Sequence, residues 1–137
     1  MVTTKTIVKK LDKTSSNYLT SAKANTQGEE AVLKAISLMT KEEQTLAKKF
    51  HSIVKENAPM LVPRTWYGMP AYSNADGKVV CFFQNGSKFK TRYSTIGFQE
   101  AANLDNGYIW PVAFAVLKLE ASEQEKIIKL VKQAIVV

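Results

Sequence analysis

The stretch SNADGKVVCFFQNGSK, Ser73 to Lys88, decides how the middle of this chain must be read. Asp76-Gly77 and Asn85-Gly86 are dipeptides suited to hairpin turns, and the run between them, KVVCFF, is β-branched and aromatic. A strand bracketed by two reversals predicts a meander of antiparallel strands. VVCFF is apolar on both faces and is expected to be an inner strand. Beyond it, SKFKTRYS alternates Lys88, Lys90 and Arg92 with Phe89, Thr91 and Tyr93, the period-two pattern of a strand with one wet side. A further strand is expected from Val112 to Leu117, after Pro111.

Outward from this β region the period changes to that of helices. Thr26 with Glu29, Thr40 with Glu43, and Ser122 with Glu125 each fit a capping box, in which the hydroxyl accepts the third amide and the carboxylate reaches back to the cap. Apolar stripes follow each: Val32, Ile36 and Met39; Leu46, Phe50, Ile53 and Val54; Ile127, Ile128, Val131, Ala134 and Ile135. Helices are expected over 27–39, 41–57 and 122–135, with Pro59 and Pro63 preventing extension of the second. The fold class is therefore α+β: two N-terminal helices, a four- to five-stranded antiparallel sheet and a C-terminal helix packed across it. Residues 1–25, rich in Thr, Ser, Lys and Asn, bury little apolar surface and are expected to be a loosely ordered basic segment preceding a single domain over 26–137.

Composition narrows the function classes. A chain of 137 residues that is 45% hydrophobic is sized for one domain with a real core. Its apolar runs fall far short of the ~20 residues of a membrane span, and the N-terminus lacks the apolar stretch of a secretory signal. With a lone cysteine, Cys81, no internal disulfide can form, so a cytoplasmic setting is expected. The net charge of +7 invites an anionic partner. Much of that excess comes from Lys5, Lys9, Lys10, Lys13 and Lys23, set against Asp12 alone in the first 25 residues.

The motifs PRTWYGMPAY, GKVVCFFQ, KFKTRYSTIGF and LDNGYIWPVAFAV, followed by a helix ending LVKQAI, resemble the YdhG-like family of small bacterial proteins, a domain of unknown function. The resemblance runs from about Pro59 to Ile135. It implies a curved antiparallel sheet covered by helices, a shape often likened to frataxin. For some members it also implies an iron-chaperone role, with iron-dependent assembly partners. A ferrous site of that kind needs clustered carboxylates to offset the metal's charge. The densest acidic pairs here, Glu29-Glu30 and Glu42-Glu43, lie in first turns of expected helices, where the macrodipole already accounts for them.

Of the remaining candidates, the aromatic and proline-rich stretch is the most suggestive. Trp66, Tyr67, Met69 and Tyr72 on a backbone stiffened by Pro70, with Trp110 near by, form either the wall of a ligand cleft or the seal between sheet and helices. Lys88, Lys90 and Arg92 on one strand face would steer a small anionic ligand to that cleft, or track a nucleic-acid backbone weakly. His51 reads as a boundary residue of its helix and Cys81 as a packed core thiol. Glu100 and Asp105, five apart in an expected loop, are too common an arrangement to signal acid–base catalysis, and there is no zinc, phosphate-loop or dinucleotide fingerprint. The reading leans away from an enzyme. It favours a binding domain for a small anion that needs no cofactor of its own; iron handling is the alternative and nucleic-acid binding the third.

Overall fold

The computed structural model describes residues 23–136. The described part of helix α1 covers 23–37. It is followed by α2 (Lys41–Asn57), β1 (Val62–Trp66), β2 (Met69–Ser73), β3 (Val79–Gln84), a helical turn α3 (Gly86–Phe89), β4 (Ser94–Phe98), β5 (Ala113–Val116) and α4 (Ala121–Ala134). The five strands form one antiparallel sheet in the order β1-β2-β3-β4-β5. This is the expected α+β meander with VVCFF at its centre. Of the N-terminal segment expected to be loose, residues 1–22 lie outside the described residues and 23–25 already belong to α1. Among the described residues, no helix is long and apolar enough to cross a membrane.

Helix α2 begins and ends where local chemistry says it should. Thr40 is extended, its hydroxyl accepts from the Glu43 amide at 3.2 Å, and its own N–H donates to Glu43 Oε1 at 3.1 Å. At the other end the Ala58 N–H donates to the Val54 carbonyl, and Pro59 follows. The other two expected caps are displaced. Thr26 lies inside α1 rather than at its start. In α4 the cap is Glu120, whose N–H donates to Glu123 Oε1 at 2.9 Å, while Ser122 donates its hydroxyl to the same carboxylate.

One face of the sheet carries the core. Tyr72, Cys81 and Phe98 lie in register across β2, β3 and β4, as do Phe83 and Ile96, and all five are buried with Val32, Ile36, Phe50 and Val131 from the helices. The opposite face carries Trp66, Met69, Ala71 and Phe82, none of which joins that cluster. There the Trp66 and Phe82 rings meet edge to face at 5.3 Å.

Two loops depart from expectation. Trp66 pairs with Met69, so Tyr67-Gly68 is a two-residue hairpin turn with both φ angles positive, 52° and 75°. Glycine is at home there; a tyrosine in the left-handed region is strained. Asn85-Gly86, by contrast, does not make a tight hairpin. The chain enters α3, passes through Lys90 in the left-handed region, and pairs again only from Ser94. The expected strand face bearing Lys88, Lys90 and Arg92 is therefore absent, because those residues occupy a turn and a loop.

Candidate ligand-binding cleft

The departure from strand geometry has a traceable cause in Glu43. Its carboxylate, besides closing the α2 cap, accepts from the Ser87 N–H and hydroxyl, each at 2.8 Å, and from the Asn85 side chain at 3.5 Å. Burial works to raise the Glu43 carboxyl's pKa. The hydrogen bonds from Ser87, Thr40 and Asn85 outweigh it and hold the group below its ordinary value. A buried acceptor on α2 thus bends the chain after β3 into α3. Lys88 then reaches the β1–β2 turn, where its Nζ donates to the Tyr67 carbonyl at 2.8 Å. Gly68 makes that crossing possible, since a Cβ there would strike the Lys88 ammonium.

The two loops so joined close one side of a cleft, and α1 closes the other. Its aliphatic floor is made by Ala31 and Ala35 of α1 and the buried Met39 just after it, with Leu38 largely exposed at the edge, and its volume is about 550 Å³, within the ordinary range for small-molecule sites. Lys34 and Lys88 are its ionisable lining groups, and Thr65, Asn85 and Ser87 add neutral polar atoms. A groove of similar volume, about 590 Å³, runs between β5 and α4, but Lys118 and Lys126 share it with Glu120 and Glu123. Unlike that groove, the α1 cleft presents a single sign of charge over an apolar floor.

The residues expected to form an aromatic cleft are dispersed. Tyr72 is 0% exposed within the core, and Met69 is buried on the opposite sheet face. Trp110 packs against the core cluster, and Trp66 leans on Phe82 and Tyr67. Tyr67 alone is fully presented to solvent, at 77% exposure. No aromatic ring lines the α1 cleft; of the expected cations Lys88 does, while Lys90 and Arg92 fall outside its lining, Arg92 lying over the Tyr93 ring at 5.3 Å.

His51 turns out to be a buried connector, not a boundary residue. Its Nε2 lies 2.9 Å from Glu29 on α1 and its Nδ1 lies 2.8 Å from the Tyr72 hydroxyl on β2. Lys55 adds a second ion pair to Glu29 at 3.1 Å. Burial works to raise the Glu29 carboxyl's pKa, but hydrogen bonds and charge from His51 and Lys55 bring it below its ordinary value. Burial also pushes the Tyr72 phenol well above its ordinary range, so it remains an O–H. With Glu29 ionised, His51 Nε2–H donates to the carboxylate, while Nδ1 and the Tyr72 hydroxyl share the second hydrogen bond. Glu29 and Glu43 thus both serve tertiary contacts that their helix positions did not disclose. Cys81 is buried, and burial pushes its thiol far above the range in which a thiolate forms at neutral pH. Among the described residues no group of three or more His, Cys, Asp and Glu side chains converges as a metal site would. Comparison of the chain with protein-family models, with curated proteins and with solved structures finds no match.

Proposed function

We propose that this is a non-enzymatic binding domain that holds a small amphipathic anion in the cleft between α1 and the β1–β2 turn. The observation that carries the reading is the pairing of an aliphatic floor with two lysines and no carboxylate in a cleft of ligand size. An apolar body would displace water from Ala31, Ala35, Leu38 and Met39, while a carboxylate or similar head meets Lys34 and Lys88. Lys88 is already held by the Tyr67 carbonyl, so little side-chain freedom is lost when it engages a ligand.

The test is native mass spectrometry of freshly purified protein, followed by fluorescence titration with anilinonaphthalene sulfonate, an amphipathic anion that reports its own binding. The expected result is saturable one-to-one binding. It should be weakened at least about tenfold in Lys34→Gln, a loss typical of a charge-assisted contact, and abolished in Ala35→Phe, which fills the floor. Binding that is non-saturable, or indifferent to both variants, removes the proposal.

A further inference from the structure

The contact between Lys88 and Tyr67 gathers, at one end of the sheet, residues that lie far apart in sequence. The β1–β2 turn brings Tyr67, its ring tilted at 60° to that of Trp66 with centroids 5.2 Å apart, and the β3–β4 connection brings Phe89, 40% exposed, and Tyr93. Cations are interleaved with these rings: Lys88 lies 5.5 Å from the Phe89 centroid and Arg92 5.3 Å from that of Tyr93, with Lys90 between them in sequence and exposed. Among the described residues the ion pairs are those of Glu29 with His51 and Lys55, so Lys88, Lys90 and Arg92 are paired with no carboxylate there. Tyr67 also holds a left-handed conformation that Asn or Gly would adopt with less strain, and in it projects a largely bare aromatic ring.

We infer that this end of the sheet binds single-stranded nucleic acid, with the Tyr67 and Phe89 rings stacking on bases while Lys88, Lys90 and Arg92 neutralise phosphates. Alternating ring faces and unpaired cations are the two elements such sites combine. An acidic peptide would answer the cations but would leave the rings without a partner. The surface shares Lys88 with the α1 cleft, but Lys34 and the aliphatic floor take no part in it, and Tyr67, Phe89, Lys90 and Arg92 lie outside the cleft lining.

The experiment is fluorescence anisotropy with a labelled oligothymidylate of about 12 nucleotides, within the ~4–16-nucleotide span of single-strand sites. Three neutralised phosphates give a log–log salt slope near −2, so affinity should fall about 15–20-fold between roughly 50 and 200 mM salt. Lys90→Gln should flatten that slope by about 0.7. Tyr67→Asn keeps a residue favoured in the turn and deletes the ring, so it stays folded and should weaken binding about fivefold or more. Absence of binding at low salt overturns the inference. So does binding unchanged in Tyr67→Asn, or competition by polyglutamate as effective as that by unlabelled oligothymidylate, which would make the patch a general polyanion surface or a docking site for an acidic protein.

Discussion

Replacing Gly28 by alanine sets two physical effects against each other, and the structure says which should win. Gly28 lies within α1, where alanine is ordinarily favoured over glycine by about 1 kcal/mol. Here, however, α1 passes so close to the edge strand β1 that a Cβ at 28 would run into the carbonyl oxygen and carbon of Pro63. That carbonyl has little room to swing aside, because β1 is held in register with β2 on both sides of it, through Val62 with Ser73, Pro63 with Tyr72 and Arg64 with Ala71. Relief therefore requires α1 to lift from β1, which disturbs the buried contacts of Val32 and Ile36 one and two turns further on. Overpacking costs about 1–3 kcal/mol, and a clash this deep with backbone atoms belongs in the upper part of that range, about 2–3 kcal/mol. Set against the propensity gain, Gly28→Ala should lose about 1–2 kcal/mol net. With a urea slope of about 2 kcal/mol per molar, the middle of the usual range, the unfolding midpoint should drop by roughly 0.5–1 M, read by circular dichroism. A midpoint equal to or above that of the parent would refute the close approach of α1 to β1.

The remaining predictions concern the connector beneath the cleft. Tyr72→Phe keeps the ring, including its edge-to-face contact with Phe50 at 5.7 Å, and removes only the hydroxyl. It should cost about 1–3 kcal/mol in urea unfolding, because His51 Nδ1 is left buried without its hydrogen-bond partner; a change below about 0.5 kcal/mol would mean the bond contributes nothing. The carboxyl pKa of Glu29 lies below its ordinary value of 4.5 in the folded protein, so its stabilising contribution is fully present above about pH 4.5 and is lost as pH falls through the folded value. Glu29→Gln should therefore lower stability at neutral pH and flatten its decline below pH 4.5; an acid limb identical to the parent's would show that the ion pairs with His51 and Lys55 do not govern it.

What the sequence determined by itself was whatever short-range chemistry encodes. Thr40, Glu43 and Pro59 mark both ends of α2 within a few residues, and the apolar run VVCFF between turn dipeptides places the central strand of a meander. Tertiary structure decided the rest, because the deciding partners are distant along the chain. Ser87 bonds to Glu43, 44 residues earlier, and that contact turns an alternating, strand-like segment into α3 and a basic loop. Tyr67 sits in a turn its local preference opposes, and Tyr72, which sequence reasoning placed on a cleft wall, is drawn into the core where His51 supplies a partner for its hydroxyl. The cleft itself exists only because α1 packs beside a hairpin turn more than 25 residues away in the chain, which no local period or cap records.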